Sequence, residues 1–261
     1  MPIVTLNGTA IYYEKHGTGK PIAFVPGLGA TRAMFQPKDT FSRTHSVITF
    51  DVRGTGRSGK LTGWRNILHR QVTDLASLLD HLSIERAALC GVSHGGIFAQ
   101  RFALSFRARC AVLVVVDSFS DFRPRNLREL GLMAAVNVGT PAMLLPKSWM
   151  TAIVRTQYAR WPLARQRLDR IVHELRGYET MKTRLVINWI NFTPELRRVT
   201  CPTLGIVGNI SPLAIQLMRR FVDAVSGAHL EIVPDSFDPT SLCQPETFNR
   251  LLADFLRSIG W

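Results

Sequence analysis

The sequence predicts an α/β fold: a mostly parallel, doubly wound sheet with an N-terminal antiparallel hairpin and a block of helices inserted before its last two strands. Short apolar runs ending in glycine-rich turns alternate with segments of helical period, the pattern of strands buried on both faces and joined by crossover helices. The stretch between Val116 and Thr203 is far longer than one crossover needs, which calls for an inserted cap.

Val4–Leu6 and Ala10–Tyr13 flank Asn7-Gly8, a pair that supplies the positive φ angles of a tight hairpin turn. Pro21–Val25 and Ser46–Phe50 read as buried parallel strands. Between 66 and 82 the apolar residues Ile67, Val72, Leu75, Leu78, Leu79 and Leu82 form a helical stripe. Ala87–Cys90 is the next strand, His94–Phe106 a helix, and Ala111–Val116 another strand. The end of the chain repeats the alternation, with strands at Thr203–Val207 and Leu230–Val233 and helices at Ala214–Val225 and Glu246–Ile259. Residues 1–117 and 199–261 thus form the core and 118–198 the cap, whose helices are separated by Gly139-Thr140-Pro141, Trp161-Pro162 and Gly177-Tyr178.

Composition narrows the function classes. The chain has 261 residues, 46% of them hydrophobic and 20% charged, and no charge-free apolar stretch long enough for a membrane span. Its start lacks a basic and then apolar leader, so a cytoplasmic protein is expected. Cys90, Cys110, Cys201 and Cys243 are scattered without metal-ligand spacing, which predicts reduced thiols and no metal or other cofactor. The net charge of +13 favours an anionic ligand, but no finger, RNP-like strand or basic heptad supports nucleic acid. The cap holds 14 basic and 6 acidic residues, or +8 of that total, so its rim would suit a carboxylate, a coenzyme A ester or an acyl carrier protein.

Gly91-Val92-Ser93-His94-Gly95-Gly96 fits G-x-S-x-G between a strand and a helix, the context that lifts a nucleophilic hydroxyl clear of a sheet. The small flanking residues leave room for the turn. The amide of His94, at the helix start, favours developing negative charge and makes half of an oxyanion hole.

With these residues the sequence resembles the α/β-hydrolase superfamily nearly end to end. Asp51-Val52-Arg53-Gly54-Thr55-Gly56-Arg57-Ser58 is similar to the family's D-x-R-G-x-G-x-S loop, and Gln244-Pro245-Glu246-Thr247-Phe248-Asn249 to the opening of its last helix. The resemblance implies that the second oxyanion donor is the amide of Leu28, in Pro26-Gly27-Leu28-Gly29, where Pro26-Gly27 replaces the usual histidine-glycine. It also implies an acid after the strand Thr203–Val207 and a histidine after the last strand. Ser211 stands at the first position and Asp238 at the second, so the triad is degenerate.

An ordinary carboxylate, with a pKa near 4, is a poor base toward an alcohol unless burial raises it. Asp117, closing the strand Ala111–Val116, resembles the alternative acid of some superfamily members, although aspartate at such a turn also serves as a backbone anchor. Among the histidines, His94 is expected to point aside from Ser93, and cap residue His173 reaches the cleft only if its helix faces inward. Three functions fit. One is hydrolase-like action on a small or acyl ester, thioester or lactone through Ser93. Another is a lyase, cyclase or acyl transferase in which Ser93 and the amides hold a substrate oxygen. The third is a ligand-binding pseudoenzyme.

Overall fold

A computed structural model describes residues 2–35 and 40–261 of the chain. Eight strands form one sheet in the order β1-β2-β4-β3-β5-β6-β7-β8. They are β1 (Ile3–Leu6), β2 (Thr9–His16), β3 (Lys20–Val25), β4 (His45–Phe50), β5 (Ala87–Val92), β6 (Cys110–Val116), β7 (Thr203–Gly208) and β8 (His229–Val233). The pairs β1/β2 and β2/β4 are antiparallel and every other pair is parallel. Asn7 and Gly8, at φ 48° and 69°, make the hairpin turn.

Strand residues alternate between two cores, as the period of two requires. Ala23, Val25, Leu89, Leu113 and Val115 face α1 (Ile67–His81), α2 (His94–Ser105) and α7 (Pro212–Asp223). Their neighbours Ile22, Phe24, Ala88, Val112 and Val114 face α9 (Pro245–Ser258) and part of the helical insertion. Pro212 and Pro245 each open a helix, where the missing N–H and fixed φ fit, so both helices begin slightly before the expected apolar stripe.

The loop after β4 is tied down by its own polar side chains. Buried Asp51 accepts from Arg32 N and Arg57 N, both at 2.9 Å, and Ser58 Oγ donates to Asp51 O at 2.6 Å. Arg53 grips Asp74 of α1 with two hydrogen bonds of 2.8 and 2.7 Å. The D-x-R-G-x-G-x-S pattern is therefore scaffolding, which fixes the wall beside the carboxyl ends of the strands.

Between β6 and β7 run α3 (Leu127–Gly139), α4 (Lys147–Gln157), α5 (Pro162–Glu174) and α6 (Gly177–Ile187), with 3-10 turns at Thr140–Leu144 and Thr193–Arg198. A short helix α8 (Thr240–Cys243) precedes α9. No helix among the described residues is long and apolar enough to cross a membrane. No group of three or more His, Cys, Asp or Glu among them could hold a metal ion. The four cysteines are free thiols.

Candidate active site

Ser93 sits on the turn from β5 to α2 at φ 55° and ψ −117°, a conformation that is costly for a residue with a Cβ. Three bonds hold the turn there: Ser93 N to Val116 O at 2.8 Å, Gly96 N to Ser93 O at 2.9 Å, and Ser118 Oγ to Ser93 O at 2.7 Å. The flanking glycines have a steric reason. A Cβ on Gly91 would lie 2.0 Å from Gly95 O, and one on Gly95 would lie 2.1 Å from Val25 O.

His94 is the first residue of α2, so its N–H has no intrahelical acceptor. The loop Gly27–Ala30, closed by Ala30 N to Gly27 O at 3.1 Å, carries Leu28 alongside. A Cβ on Gly27 would stand 3.7 Å from Ser93 Cβ, so this loop lies against the nucleophile turn. Residues of α5 and α6 lie against it, since a Cβ on Gly29 would collide with Leu175 and Thr180, and Thr31 Oγ1 donates to Glu174 Oε2 at 2.7 Å.

The partner of Ser93 is the carboxyl group of an aspartate. Ser93 Oγ donates to Asp238 Oδ2 at 2.9 Å. Tyr158 Oη, from the end of α4, fixes the backbone of this residue by donating to Asp238 O at 2.5 Å. Asp117, buried at φ 47° just past β6, accepts from Gly208 N at 3.0 Å, Thr240 N at 2.5 Å and Thr240 Oγ1 at 2.9 Å.

These partners separate the two acids. Burial raises both carboxyls: Asp238 to about 8, with the charge of Asp117 adding to burial, and Asp117 above its ordinary value, its three donors opposing the shift only in part. Asp117 has the backbone-anchor role, holding the end of β7 to the start of α8, and Ser93 is not among its hydrogen-bond partners.

Ser211 stands just after β7, at the position the sequence offers for the acid. Its hydroxyl accepts from Ala214 N at 3.2 Å and caps α7, and neither Ser93 nor Asp238 is among its hydrogen-bond partners in the described residues.

No histidine among the described residues bonds Ser93. His94 is buried and its pKa falls to about 4, from burial first and then from nearby Arg184. Its Nε2 and Oε1 of Gln71 have no hydrogen-bond partners among the described residues, and both residues line a cavity of about 10 Å³ beneath α6. His173 is exposed at the end of α5, and His229 is exposed at the start of β8.

Arg184 was not singled out by sequence reasoning. It lies on α6 one turn beyond Thr180, half-buried, with no ion pair among the described residues, and its field reaches both Asp238 and His94. Burial lowers its guanidinium and the Asp238 carboxylate partly restores it. Tyr158 and Thr240 were missed as well, because their contacts join segments distant in sequence. A larger cavity of about 180 Å³, lined by Phe24, Met34, Phe41, Leu163 and Phe248, touches neither Ser93 nor Asp238, so the chemistry is assigned from the turn and not from cavity size.

A strained serine on a strand-to-helix turn, hydrogen-bonded to an aspartate at the carboxyl edge of a mostly parallel sheet, is the layout of a hydrolase-fold site. The chain belongs to the alpha/beta hydrolase family, whose model matches residues 22–236. Over 99% of both chains it is 26% identical to a protein of Azorhizobium caulinodans named "Putative carbamate hydrolase RutD". It is also 26% identical to 3-oxoadipate enol-lactonase 2 of Acinetobacter baylyi, over 94% of this chain and 92% of that one. Among solved structures, a hydrolase from Pseudomonas aeruginosa superposes with TM-score 0.85 at 22% identity, covering 98% of this chain and 97% of that one. That likeness shows the fold.

Proposed function

We propose that this protein hydrolyses a small or acyl ester, thioester or lactone bearing a negative charge, with Ser93 as nucleophile and Asp238 as its base. The 2.9 Å bond from Ser93 Oγ to an Asp238 carboxyl raised to about 8 carries the reading, because a base works best when its pKa is near the operating pH.

In the first half-reaction the Asp238 carboxylate takes the hydroxyl proton as Ser93 Oγ bonds to the acyl carbon. The carbonyl oxygen becomes an oxyanion facing the amides of His94 and Leu28. As the intermediate collapses, the bond to the leaving group breaks and Asp238 returns its proton to that group. Water then attacks the acyl-serine, Asp238 accepting the water proton and passing it to Ser93 Oγ as the acid is released. Asp117 acts as a positioning residue, holding Thr240 and the chain on which Asp238 stands.

A fluorophosphonate probe tests this without a known substrate. One adduct per chain, read by intact mass and lost in Ser93→Ala, is expected. A folded protein that takes no label overturns the reading.

Arg184 supports the negative charge on the substrate. A half-buried cation without an ion pair is retained at a cost that a substrate carboxylate would offset. The basic segment 118–198 would suit the same carboxylate, or a thioester carried on coenzyme A or an acyl carrier protein. Glutarate is expected to protect Ser93 from labelling, and Arg184→Gln to raise the half-protecting concentration about tenfold or more, the weight of one charge-assisted hydrogen bond. Equal protection of both proteins would remove Arg184 from substrate binding.

A further inference from the structure

The stretch from Leu127 to Ile153 covers α3, the 3-10 turn Thr140–Leu144 and α4, and it turns apolar side chains to the outside. Leu127 is 85% exposed, Val138 81%, Trp149 62%, Ile153 55%, Leu144 54% and Leu130 47%. In α3 the one buried residue is Glu129. A helix this apolar, whose one buried side chain is an acid, gains nothing from water and calls for a covering surface.

Charge indicates what covers it. From 123 to 155 the basic residues are Arg123, Arg125, Arg128, Lys147 and Arg155, and the lone acid is Glu129. Glu129 is withdrawn from the surface by a two-point ion pair with Arg220 of α7, one bond being 3.2 Å. Arg125 and Arg155 pair with Asp121 and Asp169, which leaves Arg123, Arg128 and Lys147 exposed without an ion pair among the described residues. The face therefore presents leucine, valine, isoleucine and tryptophan beside cations that no acid balances.

We propose that this face docks on the surface of an anionic lipid bilayer, its apolar side chains entering the acyl boundary and its arginines and lysine meeting the headgroups. Long basic side chains can bury their stems and keep their charges in the headgroup layer, and tryptophan suits the same depth. The helices lie along the membrane and do not cross it: α3, with 13 residues, is about 20 Å long against a hydrocarbon core of about 30 Å. A second copy of the chain is the poorer occupant, because a two-fold contact would bring the unpaired Arg123, Arg128 and Lys147 of both copies into one interface in a protein of net charge +13.

Cosedimentation of the full chain with vesicles tests the proposal. Vesicles of one part phosphatidylserine to two of phosphatidylcholine are expected to bind at least about tenfold more protein than phosphatidylcholine alone at about 0.1 M salt, with most of the gain lost at about 0.5 M. The triple substitution Leu127→Ser, Val138→Ser and Trp149→Ser should abolish binding, and its circular dichroism should match the parent because these side chains are exposed. Arg123→Glu with Arg128→Glu should remove the preference for phosphatidylserine. The proposal is overturned if neither vesicle binds the protein, if both bind it equally, or if the triple variant still binds. A lipid-free dimer that the triple substitution dissociates would also overturn it, by assigning the face to a second copy.

Discussion

Asp238→Asn is expected to slow phosphonylation of Ser93 by about 10³-fold or more, the scale set by removing the base partner of a catalytic serine. Asparagine has the same shape, keeps the Tyr158 contact to the backbone and can still accept from Ser93 Oγ, so the geometry survives while proton transfer does not. The pH profile of the parent gives a second reading. Labelling should rise with pH and level off above about 8, following ionisation of Asp238. An imidazole base would put that midpoint near 6.5 instead. Rapid labelling of Asp238→Asn, or a midpoint near 6.5, would point to another base.

The same substitution should make the protein more stable in alkali. Asp238 has its folded pKa raised far above the unfolded value, so between about 4 and 8 the folded state binds more protons than the unfolded chain. Stability from this group is fully present below about pH 4 and is lost as pH rises through about 8. Asp238→Asn abolishes that slope. At pH 9 it should unfold at higher urea than the parent, by about 2 kcal/mol after allowing for the partial solvent access of the site, and at pH 4 the two should agree closely. A site that trades stability for a reactive carboxyl behaves this way, whereas a carboxylate kept for structural pairing gives the opposite slope.

The sheet could be read from the sequence because each strand is a compact apolar run and each crossover helix carries a single apolar stripe. Ser93 could be read because glycine at both flanks is a local steric need, and the collisions at Gly91 and Gly95 make that need explicit. Asp238 was located by counting back from Gln244-Pro245-Glu246, and it lies 2.9 Å from Ser93. Ser211 was placed by the same kind of count and stands just after β7, where, before a helix-opening proline, it caps α7. What local pattern could not supply was contact across the chain. Tyr158 Oη and Trp161 Nε1 hold Asp238 O and Asp235 O, 80 and 74 residues away. Arg184 was one of many cap arginines; burial without an ion pair distinguishes it, and burial is a property of the fold.

Gly95→Ala is the second large effect expected, and it separates packing from propensity. On helix propensity alone, alanine in place of glycine near the start of α2 would stabilise the chain by as much as about 1 kcal/mol. The new Cβ, however, would stand 2.1 Å from Val25 O and 2.8 Å from Pro26 O, both backbone atoms at the end of β3 that cannot swing aside. Either α2 retreats from the sheet or the loop carrying Leu28 is pushed outward, and both movements separate Ser93 from the amides that would receive an oxyanion. A loss of about 2–3 kcal/mol in urea unfolding is expected, the usual cost of overpacking a rigid site, with at least about a hundredfold fall in labelling. Gly131→Ala is the matched control, because it lies in α3 with nothing within 4 Å of the added Cβ. It should gain about 0.5–1 kcal/mol and leave labelling unchanged. If Gly95→Ala stabilised the protein as Gly131→Ala is expected to, the close fit between the nucleophile turn and β3 would not be what holds Ser93 in its strained conformation.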